Sequence, residues 1–342
     1  MILSIETSCD ETSVAIVQQS KVLCNIVNSQ YFHSKYGGVV PELASRSHLE
    51  YIYELTQKAL LTAEIKINQI TAIAVTSEPG LIGALLVGSN FAKGLAIRYR
   101  LPVIPVNHIE GHIFSGFLLD DSSYHKADFP FVTLVVSGGH TIIFFVENFN
   151  SYKIIGSTRD DAAGEAFDKI GKLFGLKYPS GPIIDKLAKK GNKNKYNFPR
   201  AMLNSDDFDF SFSGLKTSVR YFLQKEFPDG IPKELLSDIA ASAQSAIVDV
   251  LVSKTINAAI QNKVNTIVIS GGVSANSHLR DEMSQYAEKN NIKFIAPSMK
   301  YCIDNAAMIG YIAEKKFNEN PQSFYNYKFT VSANSLRSKV KK

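Results

Sequence analysis

The order of apolar and polar positions along the chain runs through the same cycle twice. Short β-branched and apolar runs at residues 2–7, 13–18 and 21–29 predict three strands, and 41–62 carries apolar positions at helical spacing. A strand at 70–76, a helix at 83–97, a strand at 103–106 and a helix opening near 108 follow. The cycle restarts with strands at 131–136, 141–147 and 153–157, a helix at 161–173 and a long helix at 233–261. It closes with a strand at 266–270, a helix at 275–289, a strand at 293–295 and a helix from 304. The segments TLVVSGG at 133–139 and TIVISGG at 266–272 repeat each other, each a buried strand running into a tight glycine turn.

Two βββαβαβα units in one chain point to an α/β fold of the duplicated ribonuclease-H-like type, the architecture of actin, Hsp70 chaperones and sugar kinases (ASKHA). Two lobes are therefore expected, with a nucleotide and metal cleft between them. The polar stretch at 120–128 is the natural boundary, giving an N-terminal lobe at 1–125 and a C-terminal lobe at 126–325. A Lys-, Asn-, Pro- and Gly-rich insertion spans 176–230, long enough to be functional, and 326–342 is expected as a basic tail.

Within this frame the pentapeptide at 108–112, HIEGH, carries the strongest chemistry. On a helix His108 and His112 face one way, roughly 40° apart, whereas Glu110 points elsewhere. A metallopeptidase needs H-E-x-x-H, with the glutamate beside the metal-bound water, so that reading is disfavoured. Two surface histidines are the plainer alternative. The equivalent helix start of the second unit carries Asp304, which would complete a metal site from the other lobe or serve as a helix N-cap. Cys302 lies close enough in sequence to be a fourth ligand, or packs as a small apolar side chain.

The glycine turn Ser137-Gly138-Gly139 suits an anion, and Ser270-Gly271-Gly272 precedes a helix whose first turn suits a nucleotide. Asn276 would bond a ribose or base there. Asp10 and Glu11 occupy the first hairpin, where ATPases of this architecture hold magnesium and phosphates; a structural turn aspartate is the rival reading. Asp160, Asp161, Glu165 and Asp168 crowd one helix start. Asp168 and Asp185 are the candidates there for ribose hydroxyls. Neither GxxxxGK[ST] nor strand-GxGxxG-helix occurs, which disfavours P-loop and Rossmann sites.

Composition narrows the setting. Of 342 residues 45% are hydrophobic and 20% charged, the balance of a folded globular chain. Cys9, Cys24 and Cys302 form no disulfide framework or CxxC cluster, and the opening MILSIE lacks the basic flank of a signal peptide; a cytoplasmic location is expected. No apolar run approaches a membrane span, and none is expected. The net charge of +5 permits an anionic partner without demanding one.

In order, IETSCDET at 5–12, YGGVVPELASR at 36–46, HIEGH, VSGGHT at 136–141, DDAAGEAFDK at 160–169, FSFSGLKT at 210–217, SGGVSAN at 270–276 and CIDNAAMI at 302–309 carry a family resemblance. The chain resembles the bacterial-type TsaD (Gcp, YgjD) tRNA adenosine threonylcarbamoyltransferases over about residues 3–310. The resemblance implies transfer of threonylcarbamoyl from its adenylate to the exocyclic amine of the adenosine beside the anticodon, in tRNAs reading codons that begin with A. It implies one divalent metal, iron or zinc, on His108, His112 and Asp304. The adenylate is implied on Val135, Val136, Ser137, Gly138, Gly139, Asp168, Gly181, Asp185 and Asn276. Asp10 and Glu11 are left as the catalytic residues that take the amine proton or as holders of phosphate or ion, ATP or ADP with magnesium included. Besides tRNA, the implied partners are a TsaB-like paralogue, a TsaE-like ATPase and the enzyme that makes the adenylate. An ATPase or small-molecule kinase of the same fold is the alternative. One departure is visible: the family's YPGG turn reads Tyr178-Pro179-Ser180-Gly181, which requires that Ser180 not be left-handed.

Overall fold

The structure, a computed structural model, describes residues 1–120 and 128–334. The expected boundary segment and the end of the expected basic tail thus lie mostly outside the described residues. In chain order the elements are β1 (Ile2–Glu6), β2 (Glu11–Gln18), β3 (Lys21–Ser29), α1 (Pro41–Thr62), β4 (Ala72–Glu78), α2 (Ile82–Tyr99), β5 (Val103–Asn107) and α3 (His108–Phe114). There follow β6 (Phe131–Val136), β7 (Thr141–Asn148), β8 (Ser151–Ser157), α4 (Ala163–Leu173), α5 (Gly181–Ala188), α6 (Ser213–Glu226) and α7 (Lys233–Gln261). The last are β9 (Thr266–Ser270), α8 (Ser277–Lys289), β10 (Lys293–Ile295) and α9 (Ala306–Glu319).

The duplication is written in the sheets. One has the order β3-β2-β1-β4-β5 and the other β8-β7-β6-β9-β10. In each, the first three strands pair antiparallel and the last two are added in parallel. The central strands β1 and β6 are buried along their whole length, as strands covered on both faces require.

The chain divides into two compact units, one drawn from Met1–Ala127 and Pro297–Lys342, the other from Asp128–Ala296. This corrects the expected boundaries: the last helix, assigned by sequence to the second lobe, belongs to the first unit. The reason is packing. Leu3 and Ile5 face clusters that include Leu55 and Ala59 of α1 and Ala92 and Ala96 of α2. Alternation along β1 turns Ser4 the other way, toward α9. There Gly310 lies so close that an added Cβ would come to 2.7 Å from both Ser4 Oγ and Val17 Cγ2. Farther along α9, the buried Glu314 carboxylate accepts the backbone N–H groups of Gln19 and Ser20, whose φ angles are positive, at 2.5 and 2.6 Å.

The expected tail also starts differently. Tyr327 and Phe329 pack on the apolar cluster of α2 and β4, Tyr327 donates to the Leu101 carbonyl, and the Lys93 ammonium lies 4.2 Å from the Phe329 ring centre.

In the second unit α7 runs for 29 residues through the core. It is long and apolar enough to cross a membrane, but 72% of its most apolar window is buried among β6, β9, α5 and α8. The insertion is more ordered than its composition suggested, since it contains α5 and α6. Its loop before α6 is gathered by Asp160, which accepts from Ser211 Oγ and from the N–H and hydroxyl groups around Phe212 and Ser213.

Candidate metal centre and surrounding site

Helix α3 starts where β5 ends, and Asn107 caps it by accepting from the Ile109 and Glu110 N–H groups at 2.8 and 3.3 Å. The cap sets the rotation of the helix, and both histidines point inward: His112 is fully buried and His108 nearly so. Their rings stand edge to face with centres 4.7 Å apart. Glu110 turns to an ion pair with Lys316 of α9, as far from the imidazole face as helix geometry predicted. Asp304 arrives on the loop before α9. The cap of that helix is Asn305, whose side chain accepts from Met308 N–H, so the Asp304 carboxylate is released from capping. Its Oδ1 lies 3.0 Å from His112 Nε2 and 3.4 Å from His108 Nε2.

Three donor atoms thus converge, all within 4.8 Å of one another. Two imidazole nitrogens and a carboxylate oxygen are a fitting set for a divalent cation of the iron or zinc kind with positions left open. The three candidate ligands belong to the same compact unit, whereas sequence placed Asp304 in the other lobe. Cys302 is not in the group; it is fully buried, with its thiol 3.7 Å from the Ser298 carbonyl.

Behind the trio lies a carboxylate that motif reading passed over. Glu6, at the end of β1, is fully buried; its Oε1 accepts Ser8 N–H at 2.5 Å. Its Oε2 accepts Thr76 Oγ1 at 2.5 Å and His108 Nδ1 at 3.0 Å, with Ser8 Oγ 3.1 Å from the same nitrogen. A carboxylate on Nδ1 fixes the His108 tautomer and leaves Nε2 as the ligand atom. The sequence held a signal for it, an acid ending an otherwise apolar buried strand. Replacing Glu6 by Gln keeps shape and removes the anion. The expected result is a fall of roughly 10–100-fold in metal affinity, read by metal retention in a chelator titration; an unchanged titration would show that Glu6 only packs.

The electrostatics agree with a cation site. Burial alone would strip the proton from His108, but the Asp304 and Glu6 carboxylates reverse this and hold its pKa well above the ordinary imidazole range. Burial would raise Asp304, yet His108 and His112 hold its carboxyl well below the usual range. His112 is lowered by burial, its bond to Asp304 opposing only in part. Beside them Asp10 lies in the β1–β2 turn and Glu11 opens β2. Burial, then the Asp304 and Asp10 charges, push Glu11 well above the usual carboxylate range. A positive charge on the trio would relieve much of that repulsion.

The residues assigned to the adenylate lie in the second unit. Val135 and Val136 end β6, buried; Gly138 and Gly139 form an exposed turn closed by Ser137 N–H to the His140 carbonyl at 2.8 Å. A Cβ on either glycine would meet nothing within 4 Å, so their backbone faces open space. Gly271 is different: its φ is +86° and a Cβ would come to 2.4 Å from the Val136 carbonyl oxygen. Asp168 accepts Ser180 N–H at 2.7 Å, just before Gly181 opens α5, and burial pushes its pKa up. Asp185 accepts from Ser277 Oγ at 2.9 Å. Asn276 caps α8 through Leu279 N–H and donates to Gln244 Oε1 at 2.7 Å, so of the amide given by sequence to a ribose or base the oxygen and one of the two hydrogens are already engaged. Ser180 has φ −86°, which makes the departure from YPGG harmless. The approach of Ser180 instead demands glycine at 171, where a Cβ would lie 2.1 Å from the serine Cβ.

Comparison with known proteins decides the family. The family model described as "TsaD: tRNA N6-adenosine threonylcarbamoyltransferase" matches residues 21–311. The chain belongs to the TsaD family. A relative named tRNA N6-adenosine threonylcarbamoyltransferase from Thermosipho africanus is 51% identical over 94% of this chain and 96% of its own length. One of the same name from Chlorobium chlorochromatii is 48% identical over 98% of each. Among solved structures, full-length HypF in its phosphate- and nucleotide-bound form aligns with TM-score 0.60 at 13% identity, over 93% of this chain and 46% of that one. Component A of the (R)-2-hydroxyglutaryl-CoA dehydratase of Acidaminococcus fermentans aligns with TM-score 0.52 at 14% identity, over 92% and 96%. At such identities the likeness is one of fold, the two-lobed ribonuclease-H-like architecture.

Proposed function

We propose that this TsaD-family chain transfers the threonylcarbamoyl group of threonylcarbamoyl-AMP to the exocyclic amine of the adenosine next to the anticodon, in tRNAs reading codons that begin with A. The observation that carries the reading is the His108, His112 and Asp304 trio with Glu110 turned away to Lys316. A peptidase would want that glutamate as its base, and an ATPase or kinase would have no use for the buried histidine pair.

A divalent cation bound by the trio, iron or zinc, would supply Lewis acidity toward the carbamoyl or threonyl oxygens. The chain's own residues do the rest. Glu6 holds His108 in the ligating tautomer. The adenylate is assigned to the Val135 to Gly139 turn, Asp168, Gly181, Asp185 and Asn276, where backbone amides offset the charge of the departing phosphate. The adenosine amine attacks the carbamoyl carbon, the bond from that carbon to the phosphate oxygen breaks, and AMP leaves with the electron pair. Asp10 or Glu11 receives the amine proton, both standing at the turn beside the trio.

The expected partners are a TsaB-like paralogue, a TsaE-like ATPase and the adenylate-forming enzyme, in the cytoplasm. Exposed Leu49 and Tyr53 on α1 and Ile82, Leu86 and Ile97 on α2 support a protein contact on those helices. The test is incubation of the purified chain with synthetic threonylcarbamoyl-AMP and unmodified tRNA, with and without those partners. Modified nucleoside in the digested tRNA, with AMP in equal amount, is the expected result. AMP release or ATP hydrolysis with no modified nucleoside, all partners present, would overturn the assignment.

A further inference from the structure

Between β3 and α1, residues Tyr31–Tyr36 form a short 3-10 helix whose outer side displays two bare rings: Tyr31 is 80% exposed and Tyr36 62%, with Lys35 exposed beside them. Its inner side is tied down. Gln30 N–H donates to the Asp10 carbonyl at 3.1 Å. The buried His33 accepts Val40 N–H at Nδ1, and its Nε2 must donate to Gln30 Oε1, an atom that can only accept, at 2.9 Å. The Gln30 amide nitrogen donates in turn to the Ala44 carbonyl. On the other side of the acid turn, His48 Nε2 donates to the Cys9 carbonyl at 2.9 Å and Nδ1 accepts from Thr12 Oγ1 at 2.7 Å. The backbone carrying the tyrosines and the turn carrying Asp10 and Glu11 are therefore joined by one buried hydrogen-bonded network.

We propose that Tyr31 and Tyr36 are a stacking platform for unpaired RNA bases flanking the target adenosine, with Lys35 meeting a phosphate. The inference rests on the transfer reading, because an adenosine that reaches the acid turn brings its neighbouring nucleotides past this helix. The chemistry favours RNA over a protein partner. Of the four residues between the rings, Ser34 and Lys35 are exposed, Phe32 is half-buried and His33 is buried, whereas most of the exposed aliphatic side chains of this unit sit on α1 and α2. Tyrosine presents a large face at little conformational cost, and every base has a face to stack on. Holding the backbone beneath the rings lowers that cost further.

The test uses the full chain, with its partners where activity needs them. A fluorescent anticodon stem-loop RNA is titrated against Tyr31→Ala, Tyr36→Ala, the double variant and the double Phe variant, and KM is measured for tRNA and for threonylcarbamoyl-AMP. Each alanine is expected to weaken RNA binding by roughly 5–100-fold and raise the tRNA KM in step, while the double Phe variant stays within about twofold of the native chain. Metal content and the KM for the adenylate stay unchanged. If the native chain modifies tRNA and the double alanine variant still binds the stem-loop normally, the platform is wrong and the transfer reading stands. Loss of a partner protein's binding with RNA affinity intact overturns it as well, as does a Phe variant as weak as the alanine one. A native chain that modifies no tRNA removes both.

Discussion

A His112→Ala chain is expected to fold normally, lose its metal and lose transfer to tRNA by at least about 1,000-fold. The imidazole is fully buried and contributes one of the three donor atoms that converge among the described residues, so its removal leaves a nitrogen and an oxygen that cannot close a site. The change empties space next to Asp304 without touching a backbone hydrogen bond. Circular dichroism should therefore be unaltered while metal analysis falls well below one ion per chain. Asp304→Asn serves as a partner variant that keeps the volume and removes the charge, and it should fail in the same way. An active, metal-free His112→Ala chain would sink the assignment of the trio.

Lys254→Met should destabilise the second unit by about 2–4 kcal/mol, a large part of the roughly 5–15 kcal/mol that holds a domain folded. The Lys254 side chain on α7 is 1% exposed. Its ammonium donates to the Ser205 carbonyl and hydroxyl at 3.0 and 2.7 Å and to the Asp207 carbonyl at 2.6 Å. Methionine fills the volume but leaves those carbonyls facing apolar atoms. The effect should spread along the loop, because Asp207 and Asp209 also hold Arg159, and Asp209 accepts Ser157 N–H at the end of β8. Urea unfolding provides the measurement, and a midpoint equal to that of the native chain would refute it. Metal binding should be untouched, since His108, His112 and Asp304 all belong to the other unit.

Much of this was legible in the sequence, and the reason is locality. Strand and helix periods, the TLVVSGG and TIVISGG repeats and the H-x-x-x-H spacing are properties of neighbouring residues, and the element order followed from them. The identity of Asp304 as a companion of the histidines also emerged, through the duplication. Its lobe did not, because the placement of α9 depends on the fit of Gly310 against Ser4 and Val17, residues at the other end of the chain. The same limit hid the helices of the insertion, where α6 shows only three buried side chains, Leu215, Val219 and Leu223, in a stretch otherwise half-buried or exposed.

By itself, then, the sequence determined the duplicated α/β order, the family and the residue types able to bind a metal, since period, spacing and motif survive without coordinates. Only the tertiary structure decided that the candidate metal trio belongs to one unit, that Glu6 bonds His108, and that the Asn276 amide already meets Leu279 and Gln244. Each of these depends on partners distant in sequence, and a buried polar atom's role is set by whichever partner the packed chain brings to it.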